Sequence, residues 1–543
     1  MPAGQQPNRY AQSLSTPGSF SVTWELVPGR GAREPAQEQA LSNALEAARG
    51  GRIHALTITD NPSGRPALSP TMLGIEIRAL GIEPLVHLTC KDKNRAQLES
   101  ELYALARAGV RNILALSGDY PVEGHQGRPR PVFDLDSVHL LQLIGSLNNG
   151  LPVEGPKGVA PLQPTQFFAG AAVSPFKREE AEVLTQYYKL KKKIEAGARF
   201  VVTQVGYDAR KFHELLLLVR EQGWNVPLIG NVYVLTYPAA RLMNANEVPG
   251  CVVPDSLLRQ VAAERQAPDK GREARLLRAA KMVAILKGMG YDGVHIGGHG
   301  LKYNDVEFIL AKGEELAANW EALLPEFDHP QPGGFYLYQR DPETGLNLPQ
   351  RAPLGRPQRA PGSYRVLRFL HRWFFTPKRG FFGVMQATAR AVDGSRLEGT
   401  FDFLEHLTKS VTNDCQHCGD CALFDVAYLC PMSQCAKSQR NGPCGGSHEG
   451  WCEVYPGKRK CVYVRAYERL KAYGEQETLA AYTVPPPDWS LYHTSSWLNY
   501  FLGRDHTARR LGIRPPAQPP APSGEGVRHG VAEPQAGRPQ AQS

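Results

Sequence analysis

Eight of the ten cysteines in this 543-residue chain lie within 47 residues of one another. They are Cys415, Cys418, Cys421, Cys430, Cys435, Cys444, Cys452 and Cys461, and only Cys90 and Cys251 stand apart. The first three are each separated by two residues. This spacing suits an iron–sulfur cluster, because a tight loop turns three sulfurs toward one centre and a fourth thiolate arrives from farther along the chain. The cysteines therefore predict electron transfer.

Eight thiolates match two four-cysteine sites, and zinc is the alternative to [4Fe–4S] clusters because both accept four thiolates. In a reducing compartment, clustered cysteines are more often metal ligands than disulfides. We expect Cys415, Cys418, Cys421 and Cys430 to form the first set, since a Cys-Pro pair such as Cys430-Pro431 commonly closes such a run. The spacing leaves open how the eight cysteines divide between sites.

Composition and charge argue against two other classes of protein. The net charge of +9 is spread along the chain, without the run of Lys and Arg interleaved with aromatics that nucleic-acid binding needs. No stretch approaches about eighteen apolar residues, and the first residues lack the apolar core of a signal peptide. We therefore expect a cytoplasmic protein with no membrane span and no nucleic-acid partner.

The elements that would position a site alternate between strand-like and helical patterns. Eight strands of this kind within about 300 residues, each followed by a helical segment, fit an α/β fold of the (β/α)₈ TIM-barrel type, which typically needs ~250 residues. An open doubly wound sheet is the alternative, because periodicity does not show closure. The predicted strands are residues 20–27, 53–59, 84–89, 112–116, 166–172, 200–205, 226–232 and 293–297.

Composition divides the chain into six segments. A polar N-terminus and a tail rich in Pro, Gly and Gln predict disorder, and a Pro-rich stretch at 330–362 predicts a linker. The basic aromatic run 364–375 could be a membrane-surface or partner helix, but we favour a helix that packs on the barrel or on the cysteine-rich domain. The expected segments are a disordered 1–18, a barrel at 19–325, a linker with connecting helices at 326–400, a small cysteine-rich metal-binding domain at 401–475, an extension at 476–514 and a disordered 515–543.

Polar residues recur at the ends of the predicted strands, where the catalytic groups of such barrels lie. A single His or Asp there is more often structural, but the recurrence at one end of so many strands favours a site. Glu25 is the sharpest case, because an acid among Val22, Trp24 and Leu26 must be paired, neutralised or functional. Burial would raise its pKa and let it act as an acid near neutral pH.

Five runs, in this order, resemble the methylenetetrahydrofolate reductase family across about residues 19–320. The resemblance implies a flavin barrel that reduces 5,10-methylenetetrahydrofolate to 5-methyltetrahydrofolate in one-carbon and methionine metabolism, with FAD or FMN as cofactor and NAD(P)H as a possible donor. The runs are Trp-Glu-Leu-Val-Pro at 24–28, Pro-Leu-Val-His-Leu-Thr-Cys at 84–90, Ala-Leu-Ser-Gly-Asp-Tyr-Pro at 115–121, Lys-Lys-Lys-Ile-Glu-Ala-Gly-Ala at 191–198 and Thr-Gln at 203–204.

The resemblance also assigns roles. Glu25 matches the acid that protonates the folate nitrogen, Asp119 the aspartate beside flavin and pterin, and Gln204 the glutamine that faces folate. The flavin-binding positions are Thr59, His87, Gly118, Asp119 and Lys193. The family's aromatic stretch that stacks with nicotinamide or folate is reduced to Val205, Gly206, Tyr207 and Asp208, with Tyr207 as the remaining substrate-binding aromatic, and its acidic flavin-ribose position is Gln186.

The cysteine-rich segment resembles the C-terminal domain of some members of the family and the separate MetV-type subunit. The matching runs are Asn-Gly-Pro-Cys-Gly-Gly at 441–446, Gly-Trp-Cys-Glu at 450–453 and Lys-Cys-Val-Tyr at 460–463. The resemblance implies iron–sulfur clusters that pass electrons to the flavin from a donor protein, and we expect a homo-oligomer. Two alternatives stay open: a folate-binding methyl-transfer component without redox activity, and structural zinc beside a flavin that NADH reduces directly.

Overall fold

Eight parallel strands form the closed barrel that the alternating elements predict. The computed structural model describes residues 7–156 and 158–514. Each strand pairs with its neighbours in chain order and the last pairs with the first, which excludes the open sheet. The barrel strands β1 to β8 are Ser21–Leu26, Ala55–Ile58, Glu83–Thr89, Asn112–Leu116, Phe168–Val173, Val201–Thr203, Leu228–Tyr233 and Gly293–Gly297.

Side-chain alternation in the strands explains the acid that the sequence places among apolar residues. Val22, Trp24 and Leu26 of β1 belong to the core between strands and helices. Thr23 and Glu25 take the alternate positions, inside the barrel. The lower half of the interior is apolar, and the polar positions lie above it, at the carboxyl ends of the strands.

Nineteen α-helices lie in the described part of the chain, and most of those before residue 317 surround the barrel. In chain order, α1 to α19 are Arg9–Ser15, Pro35–Gly50, Pro70–Ala79, Arg95–Arg107, Ser137–Asn148, Glu180–Glu195, Ala209–Glu221, Tyr237–Asn244, Asp255–Glu264, Arg272–Met289, Tyr303–Leu316, Gly362–Leu370, Phe382–Val392, Glu398–Asn413, Pro431–Gln434, Val462–Lys471, Thr478–Ala481, Ser496–Phe501 and His506–Arg510.

Helix α1 corrects the prediction of a disordered N-terminus at 1–18. Tyr10 is fully buried, and its ring lies edge-on to Phe168 and Phe200 with centroids 6.0 and 5.2 Å away. Asn8 donates from its amide to Asn112 Oδ1 at the start of β4, at 2.7 Å. The helix therefore closes the bottom of the barrel. Residues 1–6 and the predicted tail at 515–543 lie outside the described residues.

The Pro-rich stretch predicted as a linker is an ordered strap. Tyr338–Arg340 pairs antiparallel with Asn347–Arg351. Arg210 of α7 donates to Asn347 Oδ1 and to the carbonyl of Tyr338, both at 2.9 Å. The strap is held against the barrel by hydrogen bonds that its composition does not reveal.

The basic aromatic run 364–375 packs on one side only. Tyr364 is buried, and Phe375 stacks on Phe501 at 5.3 Å in a second core formed with α13 and α18. Val366, Phe369 and Trp373 are exposed. The predicted packing therefore holds for the side of this segment that carries Tyr364 and Phe375, and the opposite side faces solvent. Within residues 7–156 and 158–514, no helix is long and apolar enough to cross a bilayer.

Candidate active site at the barrel mouth

Seven of the predicted site residues of the barrel line one cavity of about 290 Å³ at the carboxyl ends of the strands. This volume is at the lower end of the range for small-molecule sites. The polar ends of β1, β2, β3, β4 and β6 converge here, as expected for a parallel barrel. The seven residues are Glu25, Thr59, His87, Gly118, Asp119, Lys193 and Gln204.

Glu25 stands beside two histidines inside the barrel. Its Oε2 lies 3.7 Å from Nε2 of His295, and the rings of His87 and His295 are 6.4 Å apart. Burial raises the pKa of Glu25, but His295 and His87 together lower it by more, so the pKa ends below its usual value. The predicted raised pKa is therefore wrong for the free protein, because the interior face of β1 is polar although its outer face is apolar.

Gly118 and Asp119 form the rim of the cavity after β4. Gly118 has a φ of +86°, and a Cβ there would lie 2.9 Å from Cβ of Thr89. Only glycine fits, since both the backbone conformation and the space exclude a side chain. Asp119 Oδ2 accepts a hydrogen bond from the backbone N–H of Ser63 at 2.9 Å, which fixes its position.

Five buried polar atoms of the barrel at this cavity have no hydrogen-bond partner within residues 7–156 and 158–514. Buried polar groups in proteins are nearly always satisfied, so a cluster of unpaired ones at one cavity indicates that a polar ligand completes them. The atoms are Thr59 Oγ1, His87 Nε2, Ser174 Oγ, Gln186 Nε2 and Asn231 Oδ1. Thr59 and His87 are predicted flavin-binding residues, and the polar ring system of a flavin fits this set of donors and acceptors.

Lys193 reaches the same cavity from α6. Its ammonium donates to the carbonyl of Ala172 at 2.6 Å. Burial, reinforced by the nearby charge of Lys189, lowers the pKa of Lys193 to about 7. A buried amine without an anionic partner suits a phosphate, which would stabilise its charged form.

Gln204 and Tyr207 differ in their access to the cavity. Gln204 lines it, and Gln204 Oε1 accepts a hydrogen bond from the N–H of Val205 at 2.8 Å. Tyr207 is buried elsewhere, and its hydroxyl donates to the carbonyl of Tyr233 at 2.9 Å. The prediction that Tyr207 contacts substrate is therefore not met. The ring of Phe176 occupies the space beside Gly206, 2.4 Å from where a Cβ would stand.

The cysteine-rich module supplies a wall of the cavity that sequence reasoning missed. Five of its residues line the cavity, namely Lys437, Cys444, Gly445, Gly446 and Glu453. Lys437 donates to the carbonyl of Gly118 at 2.7 Å, and Lys177 to that of Gly445 at 2.5 Å. The partners are separated by about 270 to 320 residues, and nothing in either stretch of sequence indicates the other.

The eight thiols fall into two sets of four. Cys415, Cys418 and Cys421 each respond to other thiols of a set that includes Cys430, and Cys435, Cys444 and Cys461 to those of a set that includes Cys452. No thiol of one set is among the leading causes of a pKa shift in the other. Burial, with further contributions from the neighbouring thiols, raises the pKa of Cys418 and of Cys435 to about 12. We call these the outer and the inner quartet, because Cys444 of the inner set reaches the barrel cavity.

Each quartet has one buried lysine beside it. Lys409 Nζ lies 3.9 Å from Cys421 Sγ, and Lys437 influences Cys444. A cation lowers the cost of the thiolate form that metals require. Across residues 7–156 and 158–514, no three Cys, His, Asp or Glu side chains are already drawn together as in an assembled metal site. The chemistry of each quartet nevertheless fits a four-thiolate metal.

Two family models cover most of the chain. Residues 9–302 match "Methylenetetrahydrofolate reductase", and residues 395–490 match "Methylene-tetrahydrofolate reductase C terminal". Methylenetetrahydrofolate reductase 2 of Saccharomyces cerevisiae is 28% identical over 178 residues, which is 33% of this chain and 28% of the yeast protein. The 5,10-methylenetetrahydrofolate reductase of Salmonella typhimurium is 28% identical over 204 residues, which is 37% of this chain and 60% of that protein.

One solved structure covers 56% of this chain and 98% of its own, with a TM-score of 0.39 and 13% identity. It is described as an uncharacterized protein from Clostridium thermocellum that binds two copies of 5-methyl-5,6,7,8-tetrahydrofolic acid. The chain spans 28% of the length of the yeast relative and 60% of that of the Salmonella relative. The model for the barrel covers more than half of the chain, and the chain belongs to the methylenetetrahydrofolate reductase family.

Proposed function

We propose that this protein reduces 5,10-methylenetetrahydrofolate to 5-methyltetrahydrofolate with a flavin bound at the barrel mouth. The observation that carries the proposal is the set of five unpaired buried polar atoms that face the same cavity as Glu25, Asp119 and Gln204. These atoms call for a polar ligand, and membership of the family favours a flavin.

The residues of the cavity divide into those for the cofactor and those for the substrate. Thr59, His87, Gly118, Asp119 and Lys193 would hold the flavin, with Lys193 on its phosphate. FAD is our first choice, and FMN is the alternative. A bound flavin supplies the hydride that reduces the methylene carbon. Gln204, across the cavity, would orient the pterin by its amide.

Glu25 would deliver the proton that opens the methylene bridge at the folate nitrogen. In the free protein its pKa is lowered by His295 and His87 against the effect of burial, so it is ionised at neutral pH. Its side chain is 23% exposed. Substrate that covers this remainder removes water from the carboxylate, which raises the pKa and favours proton uptake before transfer.

The electrons would reach the flavin through the cysteine-rich module. Cys444 of the inner quartet lines the same cavity as the residues that would bind the flavin, and the outer quartet would extend the path toward a donor. [4Fe–4S] clusters are our first choice for both quartets, since zinc carries no electrons. NAD(P)H as a direct donor has less support, because Val205, Gly206 and Phe176 place no ring in the cavity for nicotinamide to stack on.

The second candidate is a folate-binding methyl-transfer component without redox activity. It is favoured because Val205, Gly206 and Phe176 place no aromatic ring in the cavity and because the volume of the cavity is small. Analysis of one anaerobic preparation for flavin, iron and zinc separates the possibilities. Flavin with iron supports the proposed reductase, flavin with zinc supports direct reduction by NADH, and protein reconstituted with both flavins that binds neither supports the folate-binding component.

A further inference from the structure

A large apolar face lies on the helices that join the barrel to the cysteine-rich module. Of the 26 exposed large hydrophobic residues in the described ranges, eleven fall within residues 366–411. Phe369 is 60% exposed and Val411 is 81% exposed. The eleven are Val366, Phe369, Leu370, Trp373, Phe381, Val384, Leu397, Phe403, Leu404, Leu407 and Val411. We call this surface the helical face.

The aromatic part of the helical face is continuous. Phe369 lies 6.1 Å from Trp373, and Trp373 lies 6.3 Å from Phe381, between ring centroids. Helices α12, α13 and α14 also meet around a second cavity of about 810 Å³, with apolar walls that include Val366, Leu370 and Met385. Because Val366 and Leu370 are exposed, this cavity opens at the helical face. The surface offers both aromatic rings and a hydrocarbon-lined recess.

Six exposed cations accompany these residues: Arg365, Arg372, Lys378, Arg379, Arg390 and Arg396. The ion pairs formed by residues 362–413 within the described ranges use Arg368, Asp393, Asp402, Glu405 and Lys409. None of the six cations forms an ion pair with an acid of the described ranges. A symmetric contact between two copies would place these like charges against one another, which disfavours a second copy as the occupant.

We propose that the helical face docks on the surface of a lipid bilayer that contains anionic lipids. Apolar and aromatic side chains bordered by Arg and Lys are the pattern of helices that lie in the interface, with rings at headgroup level and cations on anionic headgroups. The apolar recess can take the hydrocarbon that such insertion brings to the face. Docking would hold the protein at the membrane without a spanning helix.

The test is co-sedimentation of the full-length protein with large vesicles. Vesicles of phosphatidylcholine with phosphatidylglycerol should pellet the protein, and vesicles of phosphatidylcholine alone should bind it far less. Arg372→Gln with Arg379→Gln should weaken binding about thirtyfold, because each cation near an anionic surface contributes a similar increment of binding free energy. The matched control is Arg241→Gln with Arg259→Gln, which makes the same change of charge at exposed positions elsewhere.

A second pair of variants tests the apolar contribution. Phe369→Ser should reduce pelleting about tenfold, while Phe308→Ser, at a comparably exposed phenylalanine of α11, should not. Neither side chain is part of a buried core, so both variants should fold. The proposal would be overturned if the natural protein does not bind anionic vesicles. It would also be overturned if Phe369→Ser and the double variant Arg372→Gln with Arg379→Gln bind them as well as the natural protein does. A concentration-dependent dimer that Phe369→Ser abolishes would overturn it too, since it would assign the face to a second copy.

Discussion

If Lys193 holds a flavin phosphate as proposed, cofactor binding should depend on pH. Burial, with the charge of Lys189, lowers the pKa of Lys193 to about 7. Near neutral pH, only part of the amine therefore carries the charge that a phosphate would bind. Flavin affinity should fall as pH rises through that value, because binding to the charged amine takes up a proton that becomes scarcer. Lys193→Met should bind flavin about tenfold more weakly at neutral pH and lose the pH dependence.

The measurement is a titration of flavin-free protein, followed by flavin fluorescence from mildly acidic to mildly alkaline pH. Lys191→Met is the matched control, since Lys191 is two residues away on α6 but pairs with Glu195 at the surface. If Lys193→Met keeps the affinity and the pH profile of the natural protein, Lys193 does not hold the phosphate.

Glu25 should govern the folate half-reaction without affecting flavin content. Glu25→Gln should slow the reoxidation of reduced flavin by methylenetetrahydrofolate by ~10²–10⁴-fold, the usual contribution of a general acid. In the natural protein kcat/KM should fall as pH rises across the neutral range, because the pKa of Glu25 is lowered and the protonated fraction of its carboxyl keeps decreasing. The Gln variant should lack that slope. Stopped-flow absorbance measures both, and a Gln variant as fast as the natural protein would remove Glu25 from the mechanism.

Seven of the eight barrel residues that the family resemblance assigns to the site line the cavity, and Tyr207 does not. Glu25, Asp119 and Lys193 could be found because they lie at strand ends or in a helix of recognisable sequence. The direction of the pKa shift of Glu25 could not, since it depends on His295, which reaches it only when β8 closes on β1. Tyr207 failed because its ring turns into the core beside β7.

At the scale of elements, the two quartets should load metal independently. Cys418→Ser should remove the metal of the outer quartet and Cys461→Ser that of the inner one, each lowering metal per chain by about half. Cys251→Ser is the control, because Cys251 belongs to neither set. Metal analysis of anaerobically reconstituted protein tests this. A variant that loses all metal would show that the eight thiols form one interdependent site.

Helix α1 should stabilise the barrel chiefly through one ring. Tyr10→Ala should lower the free energy of unfolding by about 3 kcal/mol, as expected when a buried aromatic is truncated. Tyr10→Phe keeps the ring and removes a buried hydroxyl that has no hydrogen-bond partner among the described residues, so it should be neutral or stabilising. Denaturant unfolding measures both. Equal stability of natural protein and Tyr10→Ala would show that α1 does not seal the barrel.

Elements with strong periodicity were predictable and elements held by single contacts were not. Eight strands emerged from their apolar runs, with ends within a few residues of those observed. Residues 1–18 were predicted as disordered and residues 330–362 as a linker, because their composition is polar or rich in Pro. One tyrosine holds α1 in place, and a few hydrogen bonds hold the strap. Apolar patterning reports extended cores, and isolated anchors leave no comparable signal.

For the whole molecule, the central feature is that the cysteine-rich module closes the mouth of the barrel. Hydrogen bonds from Lys437, Lys177 and Asn441 join the module to the barrel, and Cys444 lines the cavity. Sequence predicted both domains and their joint use, but not this contact, because hydrogen bonds between segments about 300 residues apart have no local pattern. In the proposed reductase, this contact would let electrons pass from the cysteine-rich module to the flavin.

The most direct test of this account is the absorbance of flavin in anaerobically purified protein that has been reduced and then mixed with 5,10-methylenetetrahydrofolate. The account predicts that the flavin bands return and that 5-methyltetrahydrofolate forms in equal amount to the flavin reoxidised. Flavin that stays reduced in the presence of substrate, or protein that binds no flavin after reconstitution, would contradict it.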